Sequence, residues 1–345
     1  IQIAIVRPGP IQGGMVHPFL QRRQGLEKAE YENDAIARVL KRTLGVPVFQ
    51  EQVIQLAMVA AGFSGGEADQ LRRAMASWGK NGDLVKFRSK LVDGMRERGY
   101  SEDFAERLFS QMKGFGAYGF PESHSASFAL LAYASAWLKC HYPAAFYCGL
   151  LNSQPMGFYS PSQLIQDASR HDIEVRPICI NHSDWDHRLE GDSSTPALRL
   201  GLRLIKGLPK RSAELLCQVR QEALFHSIDD FCTRFNIAKQ YWQQLVQADA
   251  FHCFNLHRYQ SLWEISAWQT PAPLGNLHPA QNETLRLKAP VETEEVLSDY
   301  RHTGLSLRRH PLALLRAHKL FANCARAEDL KNIDNGRFIR ISGLV

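Results

Sequence analysis

The sequence predicts a mainly α-helical protein with short strands towards both ends. Two observations carry that reading. Segments with the 3.6-residue apolar period fill residues 31–153 and return at 205–251. Period-two alternation is confined to a few short stretches. At 345 residues the chain exceeds one ordinary helical domain, so two or three are expected.

The elements follow in order. Ile1 to Val6 alternates and stops at Arg7-Pro8-Gly9-Pro10, which reads as a strand closed by a rigid turn. Arg22, Arg23 and Lys28 then read as a basic, exposed loop. Ala35 to Leu44 is a helix stopped by Gly45. Glu51 to Ala61 is a second, stopped by Gly62, with Val53, Leu56, Ala57 and Ala60 on one face. Both glycines suit the left-handed cap of a helix C-terminus. Further helices fit 66–77, 83–98, 102–113, 124–139 and 143–152. Ile173 to Pro177 and Ala197 to Leu202 read as short strands. Residues 271–290, rich in proline and thin in bulky apolar residues, read as part of a linker spanning 256–334. Gly336 to Val345 alternates again and reads as a strand without a partner in the chain.

Composition narrows the class. The longest apolar stretch, Ala126 to Leu138, is broken by serine and tyrosine and falls short of the ~18–20 residues of a membrane span. No membrane partner is expected. Seven dispersed cysteines form no C-x-x-C pair, so neither a zinc ribbon nor a dithiol motif is encoded, and reduced thiols of a cytoplasmic protein are expected. A net charge of +6 permits a polyanionic partner.

Four stretches could carry chemistry. Arg72 and Arg73 lie side by side on the predicted helix Ala68 to Met75, with Leu71 and Met75 turned to the core. Two guanidinium forks suit a triphosphate, although an arbitrary Arg-Arg pair is more often solvated surface. Lys113-Gly114-Phe115-Gly116-Ala117-Tyr118-Gly119-Phe120 is a glycine-aromatic turn that permits close backbone approach without being a dinucleotide fingerprint. Pro121-Glu122-Ser123-His124-Ser125 then opens what reads as a buried helix. Ser123 or Ser125 can cap it, and a capped helix start beside Lys113 can attract an anion. Finally, Ile205-Lys206-Gly207-Leu208-Pro209-Lys210-Arg211 followed by Ser212 to Leu216 fits a helix-hairpin-helix, with amides near Gly207 and the cations Lys206, Lys210 and Arg211 placed for a DNA phosphate. An ordinary helical hairpin fits it about as well. Asp184-Trp185-Asp186 spells a D-x-D but sits in a polar loop and reads as a surface turn. Gln247 to Phe251 lacks the central aliphatic residue of a sliding-clamp peptide, and its Phe251 reads as core.

Taken in order, Val6 to Met15, Phe49-Gln50-Glu51-Gln52-Val53, Ala68 to Met75, Gly116 to Tyr133 and Leu138 to Ala144 resemble the bacterial DNA polymerase III alpha subunit, the DnaE-type C-family. Ile11 to Pro18, Ala76 to Leu84, the Pro121-Glu122-Ser123-His124 form of the turn and Gly157 to Leu164 resemble its error-prone, ImuC-type branch. The replicative branch, the alternative, usually carries Asn-Lys before the Ser-His. The resemblance implies the end of a palm at 1–30, fingers at 31–172, a tandem helix-hairpin-helix region at 173–255 and the first strand of an OB-fold at 335–345. It implies a DNA-directed DNA polymerase acting in damage-tolerant synthesis, with primer-template DNA and dNTP as ligands. Accessory mutagenesis proteins and a sliding clamp would be further partners. It implies nucleotide contacts from Arg72, Arg73, Lys113, Tyr118, Ser123 and His124, and DNA contacts from Lys206, Gly207, Lys210 and Arg211. Mg2+ would be held by palm aspartates upstream of Ile1, with no catalytic or metal-binding residue in this chain. A non-catalytic DNA-binding module is the competing reading. The chain departs from the family at Asp249, which stands where the second hairpin ordinarily has glycine.

Overall fold

The computed structural model describes residues 1–6, 11, 14, 16–76, 84–115, 120–268, 285–316, 318–321 and 323–343. It divides into two compact units, Ile1–Ala134 and Ser135–Val345.

The first unit is helical: α1 (Gln2–Ile5), α2 (Val16–Arg23), α3 (Asp34–Leu40), α4 (Gln50–Ala61), α5 (Gly65–Ala76), α6 (Leu84–Glu97), α7 (Glu102–Phe115) and the start of α8 (Glu122–His141). The central helix is α4, against which α3, α5 and α6 pack. Its expected face is its buried face: Val53, Leu56, Ala57 and Ala60 are inaccessible, and Leu91, Met95, Ala105 and Leu108 join them in one core. Gly62 (φ +72) closes α4 in the left-handed conformation, its amide and that of Phe63 returning to Met58 O and Ala57 O. Gly45 is likewise left-handed (φ +81). Gly94 is required by space instead. A Cβ there would lie 2.3 Å from Ala61 O, so glycine lets α6 approach the end of α4.

Three expectations for this unit are corrected. Ile1 to Val6 is not a strand but the short helix α1, because neighbouring Ala4 and Ile5 are both buried, which strand alternation would forbid. Arg22 and Arg23 lie on α2 rather than in a loop, and Arg22 is held by Glu27 (2.7 Å) and Leu44 O (2.9 Å). The apolar run of α8 does form a helix, but none of its residues is buried; Leu130, Leu131 and Tyr133 are exposed.

The second unit begins with the end of α8, then α9 (Pro143–Asn152) and α10 (Pro161–Arg170). A three-stranded sheet follows, β1 (Val175–Arg176), β2 (Arg188–Glu190) and β3 (Ala197–Arg199), in the order β1-β3-β2. β3 runs parallel to β1 and antiparallel to β2, pairing Leu198 with Val175 and with Leu189. The sequence marks β1 and β3 but not β2. Glu190 on β2 accepts from Arg176, Arg188 and Arg199. Burial would raise its carboxyl pKa, but the hydrogen bonds of Arg199 and Arg188 outweigh it and hold it at about 2.

Next come α11 (Lys210–Glu222), α12 (Ile228–Arg234), α13 (Lys239–Gln247) and α14 (Arg258–Ala267). They close over Phe225, Phe231, Phe235, Trp242 and Phe251, with Phe231 edge-on to Phe251 at 4.9 Å. Phe251 is core, as its sequence context indicates. The stretch read as a linker folds in part: α14 lies in it, and α15 (Glu292–His302) packs on α13. Ion pairs tie α15 to α14 as well: Arg258, the first residue of α14 and 4% exposed, binds Glu295 and Asp299. Apolar periodicity therefore underestimates it. A short helix, α16 (Pro311–Leu315), follows. Among the described residues 335–343 form no strand; one isolated bridge joins Ile341 to Ala325.

Candidate nucleic-acid interface

The first hairpin is built from a 3-10 turn, Leu202–Leu204, the loop Ile205 to Pro209, and α11. Ile205 and Leu208 anchor the loop in the core, and Ala213 and Leu216 anchor the helix. Pro209 (φ −68) precedes α11 with the fixed φ that suits a helix start. Gly207 has φ +81, a conformation that favours glycine, and the Gln244 side-chain amide of α13 lies so close that a Cβ there would sit 2.8 Å from its Nε2. The amide of Gly207, and those of Lys210 and Arg211 in the first turn of α11, donate to no acceptor among the described residues. Arg211 and Lys210 are exposed, the latter 3.7 Å from Glu214. Donors, helix start and two cations thus meet on one short stretch, the composition of a phosphate seat.

Lys206, expected at DNA, also makes contacts within the protein. Its ammonium donates to Tyr300 O (3.1 Å) and Arg301 O (3.0 Å), and its amide to His302 O (2.9 Å), so it caps the C-terminus of α15. The sequence could not show this because the partner carbonyls lie about ninety residues away. Arg220 escaped notice for the same reason. Nearly buried, it ties α11 to Ile180 O (2.9 Å), Ser183 O (2.7 Å) and Asp184 (2.5 Å). Asp184 also accepts from Arg188, and Asp186 from Arg203, so the D-x-D turn is held by arginines.

In the first unit Arg72 and Arg73 project from α5 and converge on one carboxylate. Asp69 accepts from Arg72 Nε (2.9 Å) and Arg73 Nε (2.8 Å) on its two oxygens, and these bonds hold its pKa below the usual range. Arg72 is half-buried and Arg73 is exposed. Asp69 pre-positions both guanidiniums. Leu71 is buried as expected, whereas the side chain of Met75 lies outside the described residues.

The turn before α8 differs from expectation. Neither Ser123 nor Ser125 caps the helix, because α8 begins two residues earlier than expected, at Glu122, and so already contains both serines. The Glu122 amide donates instead to Glu51 Oε2 on α4 at 2.9 Å, and the Glu122 carboxylate pairs with Arg42. An anion already occupies that helix start, and it belongs to the protein. Ser123 is exposed, and Ser125 Oγ has no partner among the described residues. His124 is exposed, its ring edge-on to Phe120 at 6.1 Å. Phe120 is buried and bridges to Phe49. α4 is thus the shared support, carrying α5 with its arginine pair and fixing the start of α8. Tyr118 and the side chain of Lys113 lie outside the described residues.

Among the described residues no group of His, Cys, Asp or Glu could hold a metal ion, so they do not fit a Mg2+ site.

Comparison with known proteins agrees with this anatomy. The finger-domain model of the bacterial DNA polymerase III alpha subunit matches residues 1–99, and a helix-hairpin-helix model matches 172–261. The chain is 55% identical to an error-prone DNA polymerase of Methylococcus capsulatus, 54% to one of Teredinibacter turnerae and 52% to one of Vibrio parahaemolyticus. In each case all of this chain is covered, against 34–35% of the relative, so the chain spans about a third of the length of the curated relatives it matches. By sequence and by the order of its two regions, the chain belongs to the bacterial DNA polymerase III alpha-subunit family, and the relatives it matches over its whole length are error-prone DNA polymerases.

Proposed function

We propose that this chain supplies the nucleotide-facing and duplex-gripping parts of an error-prone DNA-directed DNA polymerase that acts in the cytoplasm on primer-template DNA and dNTP. The observation that carries the reading is the first hairpin: left-handed Gly207 and unsatisfied amides at the start of α11, flanked by Lys210 and Arg211. Phosphate contacts of this kind hold a duplex without reading its sequence, which is what a polymerase needs behind its active site. Arg72 and Arg73, gathered by Asp69, are the candidates for the incoming triphosphate, where positive charge favours phosphoryl transfer. Ser123 and His124 are weaker candidates, since Glu51 and Glu122 make their surroundings acidic. Lys113 and Tyr118 keep the role that the family resemblance gives them. The Mg2+ that phosphoryl transfer uses is assigned to no residue of this chain, and no step is derived through it. Accessory mutagenesis proteins and a sliding clamp remain partners implied by the family alone.

A second reading is a DNA-binding module without chemistry of its own. Single-turnover incorporation by a full-length polymerase carrying this sequence separates the two. Arg72→Ala is expected to raise the dNTP requirement or lower the incorporation rate at least tenfold with DNA affinity intact. Lys210→Ala with Arg211→Ala is expected to weaken primer-template affinity with the dNTP requirement intact. Unchanged incorporation in Arg72→Ala would contradict the nucleotide role.

A further inference from the structure

The two hairpins are not equivalent. At the second, the left-handed position after α13 is Asp249 (φ +59). Its amide donates to Val246 O (2.9 Å) and that of Ala250 to Leu245 O (3.0 Å), the paired bonds of a left-handed helix cap. The amides that such a turn could offer a phosphate are therefore taken by α13. The carboxylate adds negative charge, and Arg308 Nη2 meets it at 2.8 Å.

The start of α14 is also occupied. His257 Nδ1 accepts the Gln260 amide (3.2 Å), its Nε2 meets Leu287 O (3.0 Å), and the Leu287 amide donates to Gln260 Oε1 (3.0 Å). Further along, Glu295 and Asp299 hold the buried Arg258, and Arg308 also reaches Asp299 (2.8 Å). Residues 285–308 thus meet the second hairpin at its turn, at the start of its following helix and along its flank. Three carboxylates (Asp249, Glu295, Asp299) against two guanidiniums (Arg258, Arg308) leave the cluster without the positive charge that phosphate binding needs. At the first hairpin the same segment takes, among the described residues, only Lys206, and the amides of Gly207, Lys210 and Arg211 meet no acceptor there.

We infer that residues 285–308 form a strap that closes the second hairpin to nucleic acid, so that the tandem grips phosphate with its first hairpin alone. The second hairpin becomes a support: its Gln244 packs against Gly207 and defines the turn that binds. This inference rests on the DNA-binding reading above. Hydrogen exchange of the 345-residue chain, with and without duplex DNA at low salt, tests it. The strap predicts exchange slowed at least fivefold across 206–212 and unchanged within twofold across 249–260. Protection of both stretches would overturn the strap and leave DNA binding standing; protection of neither would overturn both. Because amides already bonded can mask a contact, added charge gives a second readout. Tyr259→Lys, at the exposed start of α14, is expected to leave duplex affinity within twofold of the parent. A gain of fivefold or more would place the second hairpin against DNA and refute the inference.

Discussion

Gln52 illustrates how a polar residue can hold a helical core together. It is fully buried on α4, yet its oxygen accepts the amides of Val48 (2.9 Å) and Phe49 (3.1 Å), while its nitrogen donates to Val39 O (3.0 Å) and Thr43 Oγ1 (2.8 Å). Gln52→Leu would fill the space but orphan two donors and two acceptors, at a cost of about 3 kcal/mol; a chemical-denaturation midpoint measures it. Glu190 makes an acid-side prediction. Its folded-state pKa, about 2, lies below the ordinary 4.5, so its contribution is complete above pH 4.5 and is lost as pH falls towards 2. That contribution is at most about 3 kcal/mol, given the shift. Unfolding of the second unit followed from pH 6 to pH 2.5 should show this loss, and Glu190→Gln should flatten it. Much at this scale was legible: Gly45 and Gly62 adopt the left-handed conformations their positions implied, and Phe251 is core. Arg258, Lys206 and Arg220 were not, because a charged side chain carries no periodic signal and its partners are remote in sequence.

In the first unit α3 and α4 were legible because a glycine stop and the 3.6-residue period agree there, whereas α1 and α2 carried no such pair of signals. The crossing of α6 over the end of α4 was not legible, since Gly94 sits unmarked within a regular helix. Gly94→Ala would drive a methyl group to 2.3 Å from Ala61 O, a backbone atom that cannot turn away. A loss of about 2 kcal/mol is expected from such overpacking, measured by thermal unfolding beside Gly99→Ala, whose added Cβ meets nothing within 4 Å but also takes a left-handed φ. That pairing separates the clash from backbone strain. Short strands were the harder class. The alternation at Ile1 to Val6 is too brief to choose between strand and helix, and burial of adjacent Ala4 and Ile5 chose helix. β2 was missed because Arg188 and Glu190 flank a single apolar residue, Leu189, and their ion pairs supply what apolar alternation usually supplies. At α8 the serines pointed to a local cap, whereas the cap comes from Glu51 on another helix, a relation that no local pattern encodes.

For the molecule as a whole, sequence order was more informative than any single motif. A mildly basic chain with an arginine pair and a helical hairpin fits many functions; their collinear arrangement with the other stretches fits one family. Among the described residues no helix is long and apolar enough to cross a membrane. The net charge of +6 is compatible with a polyanion but does not locate it, since Asp69, Glu190 and Asp249 each neutralise arginines that the sequence displays as free. At the first hairpin Lys210 and Arg211 stay exposed beside amides that meet no acceptor among the described residues, and the proposed DNA grip rests there. The central claim is tested most directly by duplex affinity of the 345-residue chain across a potassium chloride series, comparing the parent with Lys210→Ala and Arg211→Ala. Each phosphate contact contributes about 0.9 to the slope of log affinity against log salt. The account predicts that each substitution lowers the slope by about 1 and weakens binding alike on unrelated duplexes; an unchanged slope in both variants would contradict it.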